Sequence, residues 1–158
     1  MQLTRIVPDT STDVFLKLEY FNPTGSYKDR MAKAMIEGAA RRGQLKPGDT
    51  VVALGPAGLP VLTKGEAGPP HVEGIGVGSM PPLLEEEFYD EAIAVEEFEA
   101  RAMARRLARE EGIFSGTSSS LNVTGALRLA ERLGRGACVV TVAVDTGLKY
   151  LSGDLYQS

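Results

Sequence analysis

The sequence predicts an α/β layered domain. Short apolar or alternating runs read as strands, helix-period segments lie between them, and glycine- or proline-bearing breaks separate the two kinds. At 158 residues and 43% hydrophobic content, the chain is long enough for one domain, 1–158, with its own core.

Asp13 to Tyr20 sets Val14, Leu16, Leu18 and Tyr20 against Phe15, Lys17 and Glu19, the period of a strand. Asn22 to Ser26 is a loop, punctuated by Pro23 and Gly25. A helix is expected from about Tyr27 to Arg42, with Met31, Met35 and Ala39 in step and Gly43 as its stop. Lys46-Pro47-Gly48-Asp49 then turns the chain into a strand, Thr50 to Leu54. Gly55 to Pro82 reads as a long loop region with a short helix near Leu59 to Leu62, and connections of that length tend to be functional or disordered.

The acidic stretch Glu85, Glu86, Glu87, Asp90, Glu91, Glu96, Glu97 and Glu99 runs into Arg101, Arg105, Arg106 and Arg109. It is expected to be a solvated linker leading to an exposed helix face. Glu96 to Glu111 is the clearest helix, with Phe98, Met103 and Leu107 on one side. A further helix from about Ser118 to Leu133 is closed by Gly134. Cys138 to Val144 is the last strand, and its unbroken apolar run suits a sheet covered on both faces.

Composition narrows the chemistry. A net charge of −4 recommends no polyanion, so no nucleic-acid partner is expected. Cys138, the single cysteine, leaves no internal disulfide, and in its apolar strand it is expected to be a small buried hydrophobe. One histidine, His71, rules out a two-histidine metal site, and no metal is expected. No apolar run reaches membrane-span length and no signal-peptide core is visible, so a cytoplasmic protein without a membrane partner is expected.

The segment Asn22-Pro23-Thr24-Gly25-Ser26-Tyr27-Lys28-Asp29-Arg30 carries the chemistry. A glycine-bearing loop delivers Lys28 to the first turn of a helix, where the positive end of the helix dipole disfavours the ammonium form. A more available amine is what a Schiff base with an aldehyde requires. From these residues alone, a solvated lysine near a helix start is the plainer reading.

NPTGSYKDR resembles the cofactor-lysine motif of the cysteine synthase and cystathionine β-synthase family, pyridoxal-phosphate (PLP) enzymes of the tryptophan synthase β-like fold. The resemblance implies that Lys28 binds PLP covalently and later moves the substrate's α-proton. Gly112 to Ser119 (GIFSGTSS) resembles the family's glycine-and-serine turn, which makes Ser118 the contact to the pyridine nitrogen. A hydroxyl there leaves the ring nitrogen largely neutral, which suits β-elimination and β-replacement rather than transamination. A helix N-cap is the plainer role for such a serine. Ser120 stands where the family commonly has glycine, and its side chain is expected to crowd the cofactor ring. Gly68 to Gly78 (GPPHVEGIGVG) resembles the loop that approaches the cofactor and the substrate entrance, with Gly74 at the cofactor. Val142 to Ser152 resembles the C-terminal strand and loop. Asp145 is placed near the ring end, with a surface-turn aspartate as the plainer reading.

Residues 1–52 resemble the family's N-terminal part and 53–158 its C-terminal part, with a large block absent between Val52 and Ala53. That block holds an SGNTG loop for the substrate carboxylate and a GTGGT loop for the PLP phosphate, and neither string occurs in this chain. The fold implied is a reduced three-layer sheet domain of the tryptophan synthase β-like PLP fold with its smaller domain largely missing. The function implied is PLP-dependent β-replacement on an activated serine, impaired by the lost loops. A phosphate cradle supplies several charge-assisted hydrogen bonds of about 1.5–3 kcal/mol each. The alternative is a non-catalytic relative that acts through self-association or pairing with a full-length relative. The partners implied are a small-molecule amino-acid substrate and a second copy in a homodimer.

Overall fold

In the computed structural model, residues 1–8, 12–18, 38, 41–43, 46, 48–58 and 89–157 are described. The alternation expected over 13–20 is a strand over its described part, 13–18, while Glu19 and Tyr20 lie outside the described residues. A two-residue strand β1 (Gln2–Leu3) pairs antiparallel with β2 (Asp13–Leu18), placing Gln2 opposite Phe15 and Leu3 opposite Val14. Leu3, Val14 and Leu16 are buried, while Phe15 turns to the other face. Two residues carry no readable period, so β1 was not visible in the sequence.

The expected helix over 27–42 lies mostly outside the described residues, but its end is seen. Arg42 N–H donates to Gly38 O at 3.1 Å, and Gly43 takes a φ of 66°, the left-handed stop. The turn into the next strand is also present, with Asp49 N–H donating to Lys46 O at 3.0 Å. That strand, β3 (Val52–Pro56), begins and ends two residues later than expected. The expected short helix near 59–62 is outside the described residues.

The acidic stretch is not simply a linker: Glu91–Val95 is a strand, β4, parallel to β3 with Val52 opposite Glu91 and Pro56 opposite Val95. EAIAV is flanked by charge, and charge density masked the short apolar alternation. α1 (Glu97–Arg106) follows and closes in a π-type turn, Leu107–Glu111, ended by Gly112 at φ 70°. Its buried stripe is Ala100, Met103, Ala104 and Leu107, at the i, i+3, i+4, i+7 spacing. Phe98, expected on that stripe, is 70% exposed because it lies two positions from Ala100, on the opposite side of the helix.

The long helix α2 (Thr117–Leu133) ends at Gly134, as expected. It packs on β2 and β5 (Cys138–Ala143) on one side and on α1, β3 and β4 on the other. Gly125, a glycine inside a helix, is explained by packing: a Cβ there would stand 2.5 Å from Leu54 Cδ2. β5 joins β2 in parallel, so the described sheets are β1-β2-β5 and β3-β4.

β5 corrects the expectation of a doubly covered strand. Val139 and Ala143 are buried against α2, whereas Cys138 is exposed and Val140 is 67% exposed. Val140 stands opposite Phe15, so this face of the sheet carries an open apolar pair. Cys138 is therefore a surface thiol, not a core residue. The N-terminal segment is tied to the far end of α1 by one carboxylate. Thr4, Arg5 and Ile6 N–H donate to Glu111 Oε1 at 3.0, 2.6 and 3.1 Å.

Of the described acids in this stretch, Glu91 and Glu99 are paired rather than simply solvated, while Glu85, Glu86 and Glu87 lie outside the described residues. Arg128 donates to both oxygens of Glu99 at 2.6 Å and to Ala94 O at 2.8 Å, joining α2 to α1 and β4. Arg132 forks onto Glu91 at 2.7 and 2.6 Å. The Arg128 hydrogen bonds hold the Glu99 carboxyl below its ordinary 4.5, against the opposing effect of burial. Arg132, Arg106 and Arg101 lower Glu91, Glu110 and Asp154 in the same way. A carboxyl whose folded pKa is depressed adds stability above its unfolded pKa and loses it as pH falls through the folded one. The thermal midpoint should thus be nearly flat from pH 7 to about 5 and fall below about 4.5. Replacing Arg128 with methionine should lower the neutral plateau and make the acid limb shallower. An acid limb identical in the two proteins would show that the Glu99 pair is not among its causes.

Candidate functional site

The first turn of α2 meets the carboxyl end of β5. Parallel α/β layers build ligand sites at such ends, because helix N-termini and strand-following loops converge there. The segment before α2 runs antiparallel to the one after β5, with Ser115 bridged to Thr146. Gly147 N–H donates to Phe114 O at 3.1 Å, and Gly116 N–H donates to Asp145 O at 3.3 Å. The Phe114 and Tyr156 rings pack in a tilted contact, 41° between their planes with centroids 4.5 Å apart, and the Tyr156 hydroxyl donates to Ser115 O.

Asp145 is the centre of this corner and is 2% exposed. Ser119 N–H donates to its Oδ1 at 3.1 Å, the Ser119 hydroxyl donates to the same oxygen at 2.5 Å, and Tyr150 OH donates to Oδ2 at 2.7 Å. Asp145 N–H in turn donates to Ser119 Oγ at 3.0 Å. A carboxylate at a helix N-terminus is favoured by the dipole and by the free N–H groups there. The surface-turn reading of Asp145 is therefore wrong. The strand VVTVAV carries it straight into the interior, and its charge is met by donors rather than by water.

The hydroxyls of this turn are sorted by the helix. Ser115, Thr117, Ser119 and Ser120 are buried, while Ser118 is half-buried. The Ser120 hydroxyl donates to Gly116 O at 2.9 Å and lies 3.2 Å from Ser115 Oγ. It is folded into the protein, and positions two apart on a helix diverge by about 200°. Ser120 thus points away from the side that Ser118 presents. Thr124 continues the buried ladder, its hydroxyl donating to Ser120 O at 2.9 Å. Tyr150 was not singled out from the sequence. Its only signal is its place five residues after Asp145, which becomes meaningful once a short 3-10 turn, Gly147–Tyr150, brings it back.

Lys28 and Gly74 lie outside the described residues, as does His71. Of Lys28, Ser118 and Gly74, the structure places Ser118 alone. A neutral pyridine nitrogen can accept a hydrogen bond from a hydroxyl, and Ser118 is half-buried in the first turn of α2. The buried bonds of Ser119 and Asp145 fix the turn, so the residues present there are compatible with a hydroxyl partner for a pyridine nitrogen. Among the described residues no group of three His, Cys, Asp or Glu could hold a metal ion. No helix among them is long and apolar enough to cross a membrane.

Comparison with known proteins adds the following. The family described as "Pyridoxal-phosphate dependent enzyme" matches residues 1–58 and 51–145, two pieces that overlap within the segment holding β3. A cysteine synthase of Staphylococcus aureus is 26% identical over 288 residues, spanning 99% of this chain and 93% of that one. Since 288 aligned positions face a chain of 158 residues, roughly 130 positions of the relative have no counterpart here. A probable cysteine synthase of Bacillus subtilis is 42% identical over 113 residues, 72% of this chain and 36% of that one. Among solved structures, a cysteine synthase from Entamoeba histolytica superposes with a TM-score of 0.79 at 20% identity, covering 100% of this chain and 87% of that one. That likeness shows the fold. A hydrogen sulfide-producing enzyme from Fusobacterium nucleatum superposes with a TM-score of 0.73 at 27% identity, covering 95% of this chain and 42% of the other.

Proposed function

Because the chain belongs to the pyridoxal-phosphate-dependent enzymes, we propose that it is a cysteine synthase-like protein that binds PLP at Lys28 and carries out impaired β-replacement on an activated serine. The observation that carries this reading is the helix start at Thr117–Ser119, where one serine of a buried hydroxyl run, Ser118, remains accessible. Bound PLP supplies the electron sink that stabilises negative charge at the substrate's α-carbon. Lys28 attaches the cofactor and takes the α-proton. Ser118 holds the ring nitrogen without delivering a full proton to it, which favours loss of a β-leaving group. Gly74 lets the backbone of its loop approach the cofactor closely.

The impairment follows from what the sequence lacks. With no GTGGT and no SGNTG string, neither the phosphate nor the substrate carboxylate has its usual row of backbone N–H donors. Weak cofactor affinity and a high KM are the expected consequences. The test is a PLP titration of the purified chain followed by visible absorbance, then an assay with O-acetylserine and sulfide. A saturable band with turnover supports the reading. A band without turnover reduces the protein to a cofactor binder. No band at millimolar PLP sinks it.

The second reading, a non-catalytic relative that associates with itself or with a full-length relative, has one observation in its favour. Phe15 and Val140 face each other across β2 and β5, 37% and 67% exposed, on a sheet face that layered α/β domains normally cover. Sedimentation of the chain alone, and of a Val140→Lys variant, tests it. A dimer in the first that is lost in the second favours association through this face.

A further inference from the structure

The geometry points to Asp145 as a positioning residue for the cofactor's ring end, acting on Ser118 through the backbone on either side of it. This rests on the reading that Ser118 meets the PLP ring nitrogen. Asp145 touches both flanks of Ser118. Its carboxylate receives Ser119 N–H and the Ser119 hydroxyl, and its carbonyl receives Gly116 N–H. Its own N–H is fixed in return by Ser119 Oγ. The first turn of α2 is thus clamped at positions 116 and 119, and Ser118 has little freedom between them.

The second carboxylate oxygen reaches outward to Tyr150. Tyr150 OH donates to Oδ2 at 2.7 Å, and Tyr150 is half-buried, as Ser118 is. One buried carboxylate therefore joins the turn bearing Ser118 to the segment that follows β5. A carboxylate at 2% exposure is costly unless its acceptors are filled, and here they are filled by groups whose places matter to Ser118. The charge also lies at the helix N-terminus, where it stabilises the turn electrostatically. Neither the acidic side chain nor the tyrosine need touch the cofactor for this role.

Asp145→Asn separates the role from simple folding. The amide oxygen can still accept from Ser119, and the amide nitrogen can donate to Tyr150 OH, so the corner keeps its shape while the charge is lost. The readouts are PLP affinity, the absorbance maximum of the PLP–protein complex, and amide hydrogen exchange at Gly116 and Ser119 in the cofactor-free chain. Asp145→Asn should weaken PLP about tenfold, the effect of one charge-assisted hydrogen bond. It should move the absorbance maximum in the same direction as Ser118→Ala does. It should also speed exchange at Gly116 and Ser119 without changing that of Ala126 in the middle of α2. Tyr150→Phe, which removes one arm only, should show the same spectral direction at smaller size. A merely structural role would lower the height of the band and leave its position alone. If wild type binds PLP and Asp145→Asn matches it in affinity, maximum and exchange, the inference falls while the functional reading stands. If wild type takes no PLP at Lys28, both fall together.

Discussion

Lys28→Ala is expected to abolish the visible band that PLP gives with the wild-type chain, at every cofactor concentration that saturates wild type. The lysine serves twice in the reading proposed above, as the point of covalent attachment and as the base for the α-proton. The second role alone is worth on the order of 10²–10⁴ in rate. The control matters because free PLP reacts with accessible lysines in general. Lys33 lies five positions further along the same segment, and Lys33→Ala should keep both the band and its saturation. A band that survives in Lys28→Ala, or that falls equally in both variants, would mean non-specific adducts rather than a site. The same titration reports on the missing phosphate loop. A cradle of several charge-assisted bonds normally makes the phosphate a large part of the affinity. With no GTGGT string in the chain, pyridoxal lacking the phosphate should bind within about tenfold of PLP. A preference for PLP of a thousandfold would show that other residues have taken over the phosphate.

What could be read from the sequence depended on how local each cause was. The alternation at 13–18, the glycine stops at Gly43 and Gly134, and the period of α1 and α2 are one-segment properties, and each was legible. β4 was not, because Glu91 and the acids around it hid a five-residue strand whose neighbour, β3, lies 39 residues earlier in register. The carboxylates there are matched by Arg128 and Arg132 on another helix, and no local rule pairs them. Cys138 and Val140 were misjudged for a related reason. An unbroken apolar run says that a strand can be covered on both faces, but not whether anything is present to cover them. The turn holding Ser118 was legible as a motif, yet its physical support was not. Asp145 is 26 residues from Ser119, and only the folding of β5 against α2 brings the carboxylate under the helix start.

Gly116→Ala is expected to be the most damaging single-methyl change in this corner. Gly116 has φ −86° and ψ −179°, a conformation open to any residue, so backbone strain is not the reason. Space is. An added Cβ would stand 2.2 Å from Asp145 Oδ2, 2.3 Å from Tyr150 Cε2 and 2.5 Å from Asp145 Cγ. None of these can drift aside freely. The carboxylate is held by Ser119 and by Tyr150, so making room breaks bonds to a buried charge. Overpacking costs about 1–3 kcal/mol, and each lost bond to a charged group adds roughly 1.5–3 kcal/mol, so a total of about 3–5 kcal/mol is expected. In a chain of this length that corresponds to a fall in Tm of roughly 10 °C or more. Gly58→Ala is the matched control, since among the described residues nothing lies within 4 Å of its Cβ position and its φ is not positive. It should be neutral or slightly stabilising, through the lost entropy of the unfolded chain. Gly116→Ala should also cost less in an Asp145→Ala background than in wild type, because the clash and the carboxylate are removed together. Equal Tm values for Gly116→Ala and Gly58→Ala would mean that the carboxylate is not clamped as described. Ser118 would then owe its position to something other than the bonds that Asp145 makes on either side of it.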